Sequence, residues 1–277
     1  MAQPAGPPAT GFDHGSDPNF LRYYEEKSAS AAQRQHLQRI HGCVREMLRQ
    51  QFPGQSRFRV LDIGCNAGTQ ARLWAEQGDE AIGLDVNGPL LEVARARARA
   101  DGVSIQFDLG TATALPYADG SMDACLMLEL LEHVHDWQAC VSEAARVLRP
   151  GGVLYLTTTN ALCPRQQEFN LPLYSWYPSA LKRRFERLAV TTRPELANHA
   201  LYPAVHWFTW YGLRRHLATL GLRSLDRFDL IRTHTLGTAA RTVVALVRRL
   251  PPLRFLGQVM TAGSIVLAIK ARARAAG

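Results

Sequence analysis

Val60-Leu61-Asp62-Ile63-Gly64-Cys65-Asn66-Ala67-Gly68 is the stretch on which the reading of this chain turns. A short apolar run passes at once into small residues, so a buried strand ends in a tight turn. Glycines at such a turn let a ligand approach the backbone closely, and a helix expected over 69–77 starts directly behind it. Gly78 closes that helix. Asp85 then ends the next expected strand, 80–85, and stands 21 residues beyond Gly64. An acid at that spacing is placed to accept ribose hydroxyls; a solvated aspartate at a strand end is the plainer reading.

Outward from this stretch the same rhythm continues. Strands are expected at 58–63, 80–85, 103–107, 122–128 and 152–159, separated by helices at 69–77, 88–100 and 136–148. Such alternation builds a parallel sheet with helices on both faces, an α/β fold. Upstream, Leu37, Ile40, Val44, Met47 and Leu48 recur at helical spacing within 20–51, until Pro53 and Gly54 stop the helix. After Asn160 the rhythm breaks for about 45 residues rich in Pro and in aromatics, among them Phe169, Tyr174, Trp176, Tyr177, Phe185, Tyr202, Trp207 and Phe208. It resumes with a helix at 210–220, a strand at 222–231, one or two helices across 235–260 and a last strand at 264–270. The expected organisation is a disordered lead-in over 1–18 and one domain over 19–277. That domain divides into a core at about 56–160, a cap at about 161–206 and a completion of the sheet at about 207–277.

Composition narrows the function classes. Of the 277 residues 47% are apolar, enough for one large core. The net charge of +8 comes mostly from arginine and makes contact with anionic surfaces or anionic substrates easier. No nucleic-acid partner is expected, because the aromatic-and-basic signature of RNA readers, the zinc knuckle and the recognition helix are all missing. Cys43, Cys65, Cys125, Cys140 and Cys163 are odd in number and scattered, which reads as reduced thiols and neither a disulfide framework nor a zinc site. The first 20 residues lack the basic and apolar regions of a signal peptide, and no apolar run reaches about 18 residues. The expected location is therefore cytoplasmic, with attachment to the periphery of the inner membrane as a candidate.

With these segments in order, VLDIGCNAG, AIGLDVN, ATALPYADGSMD, LELLEHVHDW and ARVLRPGGVLYLTTTN, the chain resembles the class I S-adenosylmethionine-dependent methyltransferases over about residues 58–160. Leu-Glu-Leu-Leu-Glu-His-Val followed by Leu-Arg-Pro-Gly-Gly is most similar to the O-methyltransferases of ubiquinone biosynthesis. The resemblance implies a Rossmann-like, seven-stranded, mostly parallel sheet with an inserted aromatic-rich cap, and S-adenosyl-L-methionine as cofactor. It also implies the layout of the site. Asp62, Gly64, Cys65, Asn66 and Gly68 would hold the methionine part, Asp85 the ribose, Val86 and Asn87 the adenine flank, and Thr111 with Ala112 the adenine edge. Leu128 and Glu129 would lie near the sulfonium. Two positions depart from the family: Asn66 stands where a glycine is usual, and Thr111 where an aspartate commonly meets the adenine amino group.

Glu129, Glu132, His133 and His135 form the most suggestive chemical cluster. His133, with Glu129, is the candidate catalytic group, as general base for an acceptor hydroxyl. A divalent ion held by Glu129, Glu132 and His133 is the variant, and a loop that packs or caps the next helix is the structural alternative. The cap is the expected seat of a small-molecule acceptor, its aromatics serving as lid, as packing, or as both. The expected acceptor is an oxygen on a hydrophobic or aromatic small molecule, such as a quinone precursor or a lipid-linked intermediate. A sugar hydroxyl or another natural product is the alternative, and a cofactor-binding module without catalysis is the non-enzyme one. Residues 179–188 and 236–250 each set apolar side chains opposite cations, the pattern of a helix lying on an anionic membrane, or of an ordinary surface helix.

Overall fold

In the computed structural model, residues 30–166, 168–197 and 204–272 are described. The expected lead-in over 1–18, the start of the first helix before Ser30, and Tyr202 lie outside them. The strands are β1 (Arg59–Ile63), β2 (Glu80–Asp85), β3 (Gln106–Leu109), β4 (Met122–Leu128), β5 (Leu148–Thr159), β6 (Leu222–Asp226) and β7 (Gly263–Lys270). They form one seven-stranded sheet in the order β3-β2-β1-β4-β5-β7-β6. β1 pairs with β2, and β2 with β3, in parallel, whereas β6 and β7 run antiparallel. The fold is thus α/β and Rossmann-like. By compactness the chain divides into two units, one of residues up to Leu126 with Gln138–Val153, the other of Met127–Trp137 with Leu154 onward.

In the first unit, helix α1 (Ala31–Gln51) buries Leu37, Ile40, Val44 and Leu48, and Ser30 caps it by accepting from the Gln33 N–H at 3.2 Å. Arg45 on this helix pairs with Asp79, whose other oxygen accepts from the Phe58 N–H at 3.0 Å, so helix, turn and β1 are fastened together. Helices α2 (Thr69–Ala75) and α3 (Gly88–Ala100) follow β1 and β2. Gly68 is left-handed at φ 73°, and a Cβ there would meet Phe107 at 2.8 Å and Ala94 at 2.9 Å. Only glycine therefore lets the turn after β1 sit against β3 and α3.

Three strands differ from expectation, β5 by starting at Leu148 and not at 152. The alternation Val103-Ser104-Ile105-Gln106-Phe107 suggested a strand at 103–107, but pairing with β2 covers 106–109, with Asp85 opposite Leu109. Val103 is still finishing α3, since its N–H donates to the Ala98 carbonyl at 3.0 Å. β6 ends at Asp226 and does not run to 231, because the Asp226 carboxylate accepts from the N–H groups of Phe228 and Asp229 at 2.9 and 3.1 Å and turns the chain.

In the second unit the aromatics of the cap pack largely on one another. Phe169 and Tyr174 are buried and stacked at 4.1 Å, with Tyr177, Phe185 and Trp207 around them. Helix α5 (Ser179–Thr191) supplies Phe185; α4 (Trp137–Val147) precedes it in the chain. Helix α6 (Trp210–Thr219) leads into β6, and α7 (Thr238–Arg249) and α8 (Pro251–Val259) lie between β6 and β7. Among the described residues, no helix is long and apolar enough to cross a membrane.

Candidate cofactor site

β1 and β2 deliver two carboxylates to the same end of the sheet. Asp62 is 3% exposed and Asp85 8% exposed. Neither makes an ion pair among the described residues. Asp62 accepts from the Ala71 N–H, yet burial, reinforced by the charge of Asp85, pushes its carboxyl up to about 7. Burial also raises Asp85, against the pull of backbone donors: Asn66 N–H at 2.8 Å on one oxygen and Asn87 N–H at 2.9 Å on the other. Two buried acids with no basic side chain between them make a place where a cation gains by binding.

The turn is held by its own backbone. Gly64 and Cys65 N–H groups donate to the Leu84 carbonyl at 2.8 and 3.1 Å, and Gly68 N–H to the Cys65 carbonyl at 2.9 Å. Asn66 adopts the left-handed region at φ 47°, a conformation asparagine tolerates better than most residues. Its side-chain amide does not reach outward to a ligand: Nδ2 donates to the Gly64 carbonyl at 3.1 Å and closes the turn. The Cys65 thiol is buried and raised by burial and by both aspartates, which makes it wall and not nucleophile.

Beyond Asp85 the site changes character. Val86 is 65% exposed, and Leu109, which pairs with Asp85 in the β2–β3 register, is 62% exposed. Two large apolar side chains stand open at the ends of adjacent strands, as walls for a flat ring need. Asn87 is buried, and its Oδ1 caps α3 by accepting from the Leu90 N–H at 3.1 Å. Its Nδ2 has no hydrogen-bond partner among the described residues, an orphan donor at the edge of the same site. Thr111 turns its hydroxyl to Thr113 at 2.8 Å, and Ala112 is buried. Leu109 escaped the reading of the sequence because the strand was placed two residues early. The pairing partner of Asp85 is the signal that finds it. A cleft of about 610 Å³, lined by Arg59, Gln106, Asp108, Leu109, Tyr117 and Ser121 among others, shares Leu109 with this site but contains neither aspartate nor the glycine turn.

Arg146 of the ARVLRPGG segment is a fastener. Its guanidinium donates to the Leu115 and Tyr117 carbonyls at 3.0 and 2.8 Å and pairs with Glu143 and Asp119 at 2.7 Å, holding the loop that follows Ala112.

The cluster after β4 separates into two kinds of residue. Leu128 is half-buried, Glu129 exposed and His133 exposed. Glu129 is left-handed at φ 50°, and its N–H donates to the Thr157 carbonyl at 3.0 Å. Glu132 is fully buried, accepts from the Thr158 hydroxyl at 2.7 Å, and its carboxyl is pushed well above the usual range by burial and by the charge of Glu129. Its backbone carbonyl accepts from Val205 and His206 N–H at 2.9 and 3.2 Å. Glu132 is therefore a staple of the loop and no ligand for solvent ions. Among the described residues no three His, Cys, Asp or Glu side chains gather as a metal-ligand set, Glu129, Glu132 and His133 included.

Comparison with known proteins agrees with this geometry. Residues 61–156 match the family model described as a methyltransferase domain. The ubiquinone biosynthesis O-methyltransferase of Chelativorans sp. (strain BNC1) is 37% identical over 103 residues, covering 37% of this chain and 41% of that protein. Methyltransferase GfsG of Streptomyces halstedii is 40% identical over 112 residues, covering 39% of this chain and 40% of its own. The chain thus spans about two fifths of the length of these relatives. A solved S-adenosylmethionine dependent methyltransferase from Mesorhizobium loti is similar in fold, with TM-score 0.50 and 18% identity over 82% of this chain and 98% of that one. The strand order, the carboxylate pair after the glycine turn and the family match point the same way: residues 61–156 of this chain are similar to a methyltransferase domain, and S-adenosylmethionine is the cofactor that this likeness implies.

Proposed function

We propose that the protein O-methylates a hydrophobic or aromatic small molecule. The observation that carries the reading is the pair of buried, uncompensated carboxylates, Asp62 and Asp85, beside the open apolar walls Val86 and Leu109. These residues fit the cofactor: the acids suit the ammonium group of its amino-acid end and a ribose diol, the walls suit adenine, and the orphan Asn87 Nδ2 awaits an acceptor. When bound, S-adenosylmethionine supplies a methyl group activated by a positively charged sulfur. Asp62 then offsets positive charge, Asp85 accepts from the ribose hydroxyls, and the Gly64–Gly68 turn lets the ligand approach the backbone.

On the acceptor side, His133 is the group that takes the proton from the reacting hydroxyl, and Glu129 its acidic companion. His133 is exposed, so an acceptor arriving from solvent can reach its imidazole, a group suited to general-base work. The choice of oxygen rests on the relatives named as ubiquinone biosynthesis O-methyltransferases and on the Leu-Glu-Leu-Leu-Glu-His-Val segment.

The test is an assay with methyl-labelled cofactor against catechols and other phenolic quinone precursors, repeated with His133→Ala. Formation of a methyl ether, with kcat lowered about 10²-fold in the variant at unchanged cofactor affinity, is the expected result. Label appearing on nitrogen or carbon, or a variant as fast as the parent protein, would refute the assignment.

A further inference from the structure

We propose that α7 and α8 form a surface that lies on an anionic lipid bilayer. Both helices are tied down on one side only. On α7, Val244 and Val247 are half-buried, and Arg248 reaches inward to the carbonyls of Phe228, Asp229 and Ile231 at 2.9, 3.1 and 2.8 Å. On α8, Gln258 is buried and donates to Asp226 at 2.9 Å, while Arg254 pairs with Asp226 at 2.7 Å and with Asp229. Gly257 lies against Phe228 so closely that a Cβ would come within 2.4 Å of its ring. The helices are thus seated by their polar and small residues.

Their apolar residues face the other way. Val243, Leu246 and Leu250 recur one turn apart on α7 and its end, at 59, 45 and 45% exposure. Leu253, Leu256 and Met260 repeat the pattern on α8 and its end, at 39, 54 and 76%. A soluble surface helix keeps its apolar stripe inward; these two also turn large apolar side chains outward, on α7 beside exposed arginines.

Charge identifies the occupant. From residue 230 to 277 the sequence holds eight Arg and Lys and no Asp or Glu. Arg249 stands one turn beyond Leu246, and Arg232 and Arg241 are also exposed. A second copy of this chain would bring two cationic, acid-free faces together and be repelled. An anionic bilayer meets both halves of the surface, its acyl region taking the leucines and its phosphates the arginines. The companion segment expected from sequence, 179–188, is weaker on this ground. Lys182 folds back to donate to the Ser175 carbonyl at 2.8 Å and sits over Trp207 at 4.5 Å, and Phe185 packs in the cap.

Co-sedimentation of the full chain with phosphatidylcholine vesicles, with and without an equal share of phosphatidylglycerol, tests this. Binding is expected only with phosphatidylglycerol, with release by added salt. Leu256→Glu with Met260→Glu, both on the exposed face, should lower the partition coefficient at least tenfold while leaving S-adenosylmethionine affinity and the circular dichroism spectrum unchanged. Recovery of the parent protein in the supernatant with both vesicle types would overturn the proposal. So would binding that survives the double substitution but fails in Arg183→Glu with Arg184→Glu, or a dimer in light scattering that the double substitution dissociates without any vesicle binding.

Discussion

Two pairs of acids, Asp62 with Asp85 and Glu129 with Glu132, answer the same physical problem in opposite ways. In each, a buried carboxyl is raised by desolvation and by its neighbour's charge. Glu132 accepts from the Thr158 hydroxyl, and its backbone carbonyl fastens the loop by accepting from Val205 and His206 N–H. Asp62 and Asp85 have backbone donors but no cation and no acidic proton donor from another side chain. Their electrostatic problem is left for a ligand to solve. The contrast separates a structural acid from a binding acid without appeal to sequence motifs.

Breaking the ligand-facing pair should have the larger effect. Asp85→Ala removes the proposed acceptor for the ribose hydroxyls and is expected to weaken S-adenosylmethionine binding by about 2–3 kcal/mol, within the range of about 1.5–3 kcal/mol for hydrogen bonds to a charged group. Calorimetry returning the parent affinity would take Asp85 out of the site.

On the structural pair the readout moves from affinity to stability. Glu132→Ala leaves the Thr158 hydroxyl and a small cavity buried, and is expected to cost about 2 kcal/mol in urea unfolding. Glu132→Gln keeps the shape and an acceptor for the Thr158 hydroxyl, and should cost less than about 1 kcal/mol, since burial already disfavours the charged carboxylate. A glutamine variant as damaging as the alanine one would mean that the carboxylate itself is needed, which fits a charged, functional Glu132.

What could be read from sequence follows the range of the interactions involved. Asp62, Gly64, Asn66, Gly68 and Asp85 sit on one turn and the ends of two adjacent strands, so spacing along the chain carries their arrangement. Leu109 does not, because its place depends on the register of β3 against β2, and apolar alternation through Val103, Ile105 and Phe107 marked a strand two residues too early. The burial of Glu132 depends on Thr158 and on the backbone at 205–206, more than 25 residues away. Amphipathic spacing at 236–250 was visible, but which side α7 turned to the protein was decided by Arg248, a residue that looked like part of the charged outer face.

The central claim, that Asp62 and Asp85 wait for a cation, is tested most directly by the pH dependence of cofactor affinity. With Asp62 raised to about 7, the free protein holds its proton at pH 6 and has largely lost it at pH 8. The sign for the fold is set by the same shift: a carboxyl that binds its proton more tightly when folded destabilises the ligand-free protein as pH rises from about 4 to about 7. Binding of a cation to the ionised form runs the other way. Calorimetric titration is therefore predicted to show S-adenosylmethionine affinity rising up to about tenfold between pH 6 and pH 8, with most of that rise absent in Asp62→Asn. A parent protein whose affinity is flat over this range, or an Asp62→Asn protein that keeps the full rise, would contradict the account.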